Sequence, residues 1–545
     1  MTDRRELLTA FATLGIGTLP FQRSLAAAIQ AEPRIAITPE MIQQAEWVAG
    51  IKLNDAERKA VASAVQTNAR GVRAGHAVSL PNHVPPAIHF SCAPEEDTAA
   101  VRGDVTMAKS VANKPATIED LAWLPAYQLA HLLNTRQVSS VDLAKLFLDR
   151  LHSHNDKLKF VVTFTDDLAM SQAKKADEER AKGIVRGPFH GIPWGAKDLI
   201  AVKGYPTTWG AAHFKNQTLP ETATVAKTLE NAGMVLLAKL TLGALAWGDQ
   251  WFGGQTRNPW IPTRGSSGSS AGSASAVAAG CVPVAIGSET LGSIISPSRE
   301  CGVTGLRPTF GRISRAGCMT LSWTMDKLGP MARSVEDCAV MLGLLHGRDP
   351  ADAASVTKPF HWPGYRSLKS LTVGYFENAM TSSMKEVVET LKGIGCTLKP
   401  INLPTRIPMQ AMSLILGAEA ACAFEELTRE GISEGIGLWP ITFREARFTT
   451  AVDYLRANRL RTLLMEDMAS VMKTVDLYIG GNDLQITNLT GHPSICLPVG
   501  HAKTNDRWRP LTMTMTGRLF GETELLTVAR AYQEATGHHL KRPML

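Results

Sequence analysis

The order of strand-like and helix-like segments between residues 160 and 240 constrains the fold of this chain more than any other feature. Short apolar runs at 160–164, 192–196 and 235–238 alternate with helix-like segments at 168–182 and 222–231. Alternation of this kind is typical of an α/β sheet layered with helices. With 545 residues, 44% of them hydrophobic, the chain is long enough to bury a large core around such a sheet.

A second feature is the segment 268–298, which carries small residues and hydroxyls at a density that neither a core helix nor a solvated surface requires. Residues 268–272 allow close approach of the backbone to a reacting group, and an Ala-rich helical pattern follows them. Further on, the strand candidate 282–286 runs into the turn 287–293 and then into a helix start. Such a turn directs several backbone N–H groups to one point, as an oxyanion hole requires. A flexible linker is the simpler alternative, but the apolar segment between the serine clusters is too long for a tether.

A single lysine, Lys197, ends the apolar segment 191–196. Burial there would lower its pKa from about 10.4 toward neutrality, and a shift of about three units costs the charged form roughly 4 kcal/mol. The segment would then supply a base. The alternative is an ordinary ion pair between Lys197 and the adjacent Asp198 at a strand end.

Three motifs around these residues occur in the order found in a known family of enzymes. The first is a G-x-P-x-x-x-K-D segment that ends at Lys197 and Asp198. The second is a G-S-S-G-G loop, matched by residues 268–272, and the third is a G-[ST]-D-T-G-G-S-I turn, matched by residues 287–294. Shorter matches lie at residues 258–260, 305–309 and 488–493. Over residues 118–540 the chain therefore resembles the amidase signature family, the Ser-Ser-Lys amide hydrolases.

The resemblance implies both a fold and a set of roles. The implied fold is α/β, with a central mixed twisted β-sheet covered on both faces by helices, here preceded by a helical N-terminal extension. Ser293 would be the nucleophile, Ser269 the bridging serine after a cis Gly268–Ser269 peptide bond, and Lys197 the base. Ser270, Gly268 and Asp198 would support them. The implied oxyanion hole consists of the backbone N–H groups of Thr290, Leu291, Gly292 and Ser293.

Three residues depart from the common family pattern. Leu291 stands where most members have glycine, Glu289 replaces aspartate, and Ile295 replaces an arginine. A branch that resembles bacterial peptide amidases also carries E-T-x-G-S-I, so the departures indicate membership of that branch. The implied reaction is hydrolysis of a small-molecule amide through an acyl-enzyme, without metal or cofactor. Alternatives are an esterase or carbamate hydrolase that uses the same site, and a non-hydrolytic amidotransferase-type subunit that binds a partner.

A different serine hydrolase arrangement also fits part of the sequence. Residues 268–272 match G-x-S-x-G with Ser270 as nucleophile, and His346 or His492 would complete a triad. A nucleophile elbow requires a buried strand immediately before it, however, and residues 258–267 are polar and rich in Pro, Ser and Gly. The sequence therefore favours Ser293 as the nucleophile.

The N-terminus predicts export. Arg4 and Arg5 precede a mildly apolar segment at 7–19, a pattern that resembles a twin-arginine signal, whereas an ordinary amphipathic helix is the alternative. We therefore expect a signal peptide at 1–31, a helical and irregular extension at 32–117, and the catalytic domain at 118–545. The predicted location is the periplasm, or the cytoplasm if the signal prediction fails. No other run is apolar enough to predict a membrane span.

The remaining composition excludes some partners. Lysine and arginine exceed acidic residues by seven but are spread along the chain, which does not favour nucleic-acid binding. The eight cysteines form no zinc-like cluster and fit small buried hydrophobes. Residues 409–426 and 443–472 predict long helices, and some of this region, with Trp439 and Phe443 as candidates, is expected to line the pocket. The sequence leaves a homodimer open.

Overall fold

The computed structural model describes residues 36–78, 87–88, 101–110, 112–481, 483–504 and 507–545. The predicted signal peptide, with Arg4 and Arg5, lies outside these residues, as do Cys92 and most of the Pro-rich passage before residue 101. Along the described chain, no helix combines the length and the apolarity that crossing a membrane would need.

The fold is built on one sheet of eleven strands, beside a two-stranded hairpin. The strands are β1 (Val161–Phe164), β2 (Pro193–Lys197), β3 (Val235–Leu240), β4 (Gln250–Trp251), β5 (Gly254–Gln255), β6 (Val284–Glu289), β7 (Thr304–Arg307), β8 (Lys327–Ala332), β9 (Thr372–Tyr375), β10 (Thr397–Pro400), β11 (Leu477–Ile479), β12 (Ser494–Thr504) and β13 (Arg507–Gly517). In the large sheet their order is β1-β3-β2-β6-β8-β7-β12-β13-β11-β9-β10, and β4 pairs with β5. Parallel pairs (β3–β2–β6 and β11–β9–β10) and antiparallel pairs occur together, so the sheet is mixed, as predicted.

Helices flank this sheet, which confirms the predicted α/β class. They are α1 (Pro39–Ala49), α2 (Asp55–His76), α3 (Ala126–Asn134), α4 (Ser140–Leu158), α5 (Asp166–Ala181), α6 (Thr224–Asn231), α7 (Ala271–Ala278), α8 (Ile295–Cys301), α9 (Val335–Leu345), α10 (Ser382–Gly393), α11 (Leu414–Ala423), α12 (Glu425–Arg429), α13 (Trp439–Ala446), α14 (Ala451–Met472), α15 (Leu484–Thr490) and α16 (Glu522–Thr536). Helix α4 begins at a capping box in which Ser139 and Asp142 satisfy each other's backbone N–H groups. Every residue of α7 is buried, which its small side chains permit.

Helices α1 and α2 pack against the region between residues 409 and 472 rather than against the sheet centre. Gly71 and Gly75 on α2 make the approach close, because a Cβ there would lie 2.7 Å from the Gln410 carbonyl oxygen and 2.8 Å from Ala411. Helix α2 runs six residues beyond the predicted end at residue 70. The boundaries of the extension and of the catalytic domain stay predictions.

The two long helices predicted after residue 409 are each interrupted. Residues 409–426 form a 3₁₀ turn, helix α11 and part of helix α12, with a break at Phe424. Residues 443–472 divide between α13 and α14, because the Thr450 side chain accepts the backbone N–H of Asp453 and starts a new helix. The hydrophobic stripe alone did not reveal these local signals.

All seven cysteines within the described ranges are free. Five are buried, as predicted, whereas Cys318 is half-buried and Cys422 is exposed. The same part of the chain contains no cluster of His, Cys, Asp or Glu with the geometry of a metal site.

Candidate active site

Lys197 lies at the carboxyl end of β2, the strand between β3 and β6. Its side chain is fully buried, and its Nζ donates hydrogen bonds to Ser269 Oγ at 2.7 Å, Ser288 Oγ at 2.8 Å and Ser270 Oγ at 3.1 Å. Within the described residues it has no carboxylate partner at ion-pair distance. The lysine therefore faces hydroxyl groups, as a base in a relay would.

Burial controls the charge of this lysine. Removal from water lowers the pKa of Lys197 to about 7, whereas the more distant carboxylates of Asp326 and Glu289 act in the opposite direction. About half of the molecules consequently carry a neutral amine near pH 7. This agrees with the shift expected from the apolar flanks of Lys197.

Asp198 is not the partner of Lys197, so the simple ion-pair alternative is wrong. Its carboxylate pairs at 2.7 Å with Lys239 on β3 and accepts the backbone N–H of Thr208 at 2.9 Å. Successive side chains of a strand point to opposite faces of the sheet, which separates Lys197 from Asp198. Asp198 thus neutralises a second buried lysine and leaves the first without a counter-ion.

The segment before α7 brings two serines to Lys197. The Gly268–Ser269 peptide bond is cis, as the resemblance implied. Gly268 lies against Gly248, where a Cβ would overlap the Gly248 carbonyl oxygen, so only glycine fits. Ser270 Oγ donates to the Ser288 carbonyl oxygen at 3.0 Å and accepts the Ser288 N–H at 3.1 Å, which ties this segment to β6.

Ser293 lies in the turn between β6 and α8, and it is partly exposed. Its carbonyl oxygen accepts the backbone N–H of Ser270 at 3.0 Å, so the two serine segments are adjacent. Its hydroxyl forms no hydrogen bond with any described residue. The structure therefore joins Lys197 to Ser269 directly, whereas the predicted contact between Ser269 and Ser293 is not formed as a hydrogen bond.

The predicted oxyanion hole occupies the same turn. In the described chain, the backbone N–H groups of residues 290–293 donate to no protein acceptor and so stay available to an anion. Gly292 adopts a φ of +90°, whereas Leu291 does not lie in the left-handed region. The backbone at Leu291 is therefore compatible with a side chain, and that side chain is exposed.

Hydrogen bonds to the Glu289 side chain hold this turn in place. Its fully buried carboxylate accepts the N–H groups of Ile294 and Ile295 at 2.8 and 2.9 Å, and it also binds Arg307 at 2.6 Å and Asn488 at 2.8 Å. Burial alone would raise the pKa of Glu289, but Arg307 and nearby Lys327 lower it to about 2. The carboxylate is thus always ionised, and it anchors the start of α8, where negative charge is favoured.

Several residues of the site were not predicted from the sequence. Ser288 binds Lys197, Asp326 accepts the Thr290 hydroxyl at 2.6 Å, and Arg307 pairs with Glu289. Ser288 lies inside the recognised motif and could have been found there, whereas Asp326 has no local signal. Trp439 and Phe443 are buried, and Trp439 Nε1 donates to the Ala244 carbonyl oxygen at 3.2 Å. Their place in the pocket stays a prediction.

The alternative with Ser270 as an elbow nucleophile is not supported. No strand lies between β5 and α7, and no histidine of the described chain forms a hydrogen bond with Ser270. His492 is buried and bonded to Thr490 at 2.7 Å. The Ser270 hydroxyl instead joins Lys197 to β6.

Comparison with known proteins places this geometry in context. Residues 142–481, more than half of the chain, match the family described as Amidase. A glutamyl-tRNA(Gln) amidotransferase subunit from Carboxydothermus hydrogenoformans is 31% identical over 491 residues, which cover 78% of this chain and 100% of that protein. The subunit of the same name from Chloroflexus aurantiacus is 32% identical over 471 residues, covering 75% and 96%.

Two solved structures of a peptide amidase are also similar to this chain. The native peptide amidase of Stenotrophomonas maltophilia superimposes with a TM-score of 0.68 at 27% sequence identity, and the match covers 78% of this chain and 99% of that chain. Peptide amidase bound to the competitive inhibitor chymostatin gives a TM-score of 0.69, also at 27% identity, over 78% of this chain and 100% of that chain.

Proposed function

Because the chain belongs to the amidase signature family and is an enzyme that acts on amide C–N bonds, we propose that it hydrolyses a carboxylic amide to an acid and an amine or ammonia. The observation that carries the proposal is the buried amine of Lys197, with a pKa of about 7, at 2.7 Å from Ser269 Oγ. The unpaired N–H groups of residues 290–293 lie beside Ser293, where an oxyanion would form.

In this mechanism the neutral amine of Lys197 accepts a proton from Ser269 while Ser269 accepts one from Ser293. The Ser293 oxygen attacks the amide carbonyl carbon, and the N–H groups of the turn stabilise the negative oxygen. Ser269 then protonates the leaving nitrogen as the C–N bond breaks, and Lys197 returns its proton to Ser269, so that the amine is neutral again. Water enters by the reverse relay, and hydrolysis of the acyl-enzyme releases the acid. Ser270 and Ser288 orient Lys197.

A second candidate is the amidotransferase-type subunit, and the curated relatives favour it more than the solved structures do. The relatives named as amidotransferase subunits are matched over nearly their whole length. Such an enzyme would share the acylation step at Ser293, and the released ammonia would pass to a partner protein. The predicted export signal would count against this candidate, because tRNA-linked chemistry belongs in the cytoplasm.

A fluorophosphonate probe tests the site. We expect an adduct on Ser293, its loss in Ser293→Ala, and strongly slowed labelling in Ser269→Ala. Ser270→Ala is the matched control and should have a milder effect. Peptide mass spectrometry that located an adduct on Ser270, retained in Ser293→Ala, would show that the nucleophile is assigned wrongly.

A substrate panel separates the two candidate functions. Peptide amides, primary amides, anilides, esters and free glutamine are assayed with the purified chain alone. Turnover of a peptide or aryl amide without any partner supports hydrolysis. Turnover restricted to glutamine, and raised by added partner proteins, would favour the amidotransferase candidate instead.

A further inference from the structure

A cavity of about 300 Å³ lies away from the catalytic residues. Trp123, Arg333, His539 and Arg542 line it, and we call it the Arg333 cavity. Arg333 follows the last residue of β8, whereas Asp326, which binds Thr290 of the catalytic turn, precedes the first. Since a strand rises about 3.3 Å per residue, the steps along β8 from Asp326 to Arg333 separate the two sites by about 23 Å. The Arg333 cavity is therefore a distinct site.

Positive charge accumulates around one indole ring in this cavity. The guanidinium carbons of Arg542, Arg150 and Arg333 lie 5.1, 5.2 and 5.5 Å from the Trp123 ring centroid. The negative faces of an indole attract cations but do not neutralise them. Arg150 donates to the carbonyl oxygens of Ala279 and Gly280, and it does not line the cavity.

Arg333 has incomplete hydrogen bonding at the cavity wall. Its Nη2 donates to the Leu124 carbonyl oxygen at 2.8 Å, whereas its buried Nη1 has no acceptor among the described residues. No carboxylate of the described chain lies at ion-pair distance from it. Buried donors of this kind are rare in folded proteins unless a ligand or water satisfies them.

His539, which also lines the cavity, holds a second unsatisfied atom. Its Nδ1 is buried and has no hydrogen-bond partner in the described chain. Burial and nearby Arg333 lower the pKa of His539 to about 4, so the ring is neutral at pH 7. A neutral imidazole can still donate one N–H. The cavity is therefore lined by two side chains that each hold a buried nitrogen without a partner in the described chain, and Asp337, whose carboxylate acts on Arg333 electrostatically, is not among the lining residues.

Three other cations of the described chain line the cavity, of which Arg530 and Arg542 pair with carboxylates and Lys541 lies over the Trp508 ring. Arg530 binds Glu336 at 3.0 Å and Glu534 at 2.7 Å, so both lining carboxylates share one cationic partner. Arg542 reaches Asp120 at 3.3 Å in an exposed pair. Arg333 thus remains a cation of this wall without a carboxylate partner in the described chain.

We propose that the Arg333 cavity binds a small oxyanion, either a carboxylate or a phosphate, that accepts hydrogen bonds from Arg333 Nη1 and His539. Planar guanidinium groups suit both oxyanions, because each offers two acceptor oxygens. The cavity volume lies at the lower end of the ~300–1,000 Å³ typical of small-molecule sites. The inference does not depend on the reaction at Ser293.

Isothermal titration of the full chain with inorganic phosphate and, separately, with malonate tests this proposal. We expect one binding site per chain, and the anion that binds identifies the chemistry. Arg333→Gln should weaken binding at least tenfold. Arg150→Gln is the matched control, because it removes the same charge from the same indole without touching the cavity, and it should change the affinity less than twofold.

Two further measurements keep the test decisive. If Arg333→Gln does not fold, Arg542→Gln, at an exposed position, should weaken binding about threefold. The bound anion should also raise the melting temperature as its concentration increases. Absence of binding by both anions, or equal affinities of the parent chain and Arg333→Gln, would overturn the proposal.

Discussion

The pH dependence of catalysis tests the role of Lys197 most directly. Burial lowers its pKa to about 7, so roughly one tenth of the molecules carry a neutral amine at pH 6 and about nine tenths at pH 8. If the neutral amine is the base, kcat/KM for an uncharged amide should rise about tenfold between these values and level off above them. Below pH 6 the rate should fall about tenfold per unit.

The assay measures kcat/KM from pH 5 to pH 10 on a substrate without titratable groups, with thermal unfolding recorded at each pH. Lys197→Met should lose roughly 10²–10⁴ in rate and the titration with it. Asp326→Asn should shift the midpoint to lower pH, because the Asp326 carboxylate raises the pKa of Lys197. A parent rate that kept rising tenfold per unit up to pH 10 would mean an ordinary lysine and would refute the reasoning.

Three other predictions concern stability, the turn and location. Protonated Lys197 destabilises the fold below pH 7, and this cost disappears as the pH rises toward 10.5. Lys197→Met should therefore gain stability relative to the parent, and this gain should be larger by roughly 4 kcal/mol at pH 6 than at pH 10.5; denaturant unfolding at both pH values checks this, and a difference independent of pH would contradict it. Glu289→Gln leaves the buried Arg307 charge unpaired and should lower the free energy of unfolding by about 3–5 kcal/mol. The fluorophosphonate labelling of Ser293 should be lost as well, and an unchanged melting temperature would contradict the role of Glu289 in holding the turn. Arg4→Lys combined with Arg5→Lys should retain the full-length chain in the cytoplasm, because twin-arginine receptors read both guanidinium groups; undiminished recovery from the periplasm would remove the export prediction.

The sequence predicted those parts of the site that depend on local pattern. Lys197 lies in an apolar run, so its burial and lowered pKa followed from its neighbours, and the cis bond at Gly268–Ser269 followed from the resemblance. The α/β class followed from alternating segments. Each of these features requires only residues close together in the chain.

What the sequence did not reveal depends on distant contacts. Asp198 pairs with Lys239, which lies 41 residues away, and not with the adjacent Lys197, which the sequence offered as its ion-pair partner. Asp326 reaches Thr290 across 36 residues. The burial of Trp439 against the Ala244 loop spans 195 residues. Periodicity shows which face of an element is apolar, but not which element covers that face.

The contacts of Glu289 also set when the turn under Ser293 can be completed during synthesis. Its carboxylate is bonded to Arg307, 18 residues later, and to Asn488, 199 residues later. At about 5–20 residues per second, the ribosome adds Asn488 roughly 10–40 s after Glu289. A nascent chain, or one cleaved before Asn488, lacks a partner that holds the turn under Ser293. The turn under Ser293 therefore gains its full set of contacts only after translation has passed Asn488.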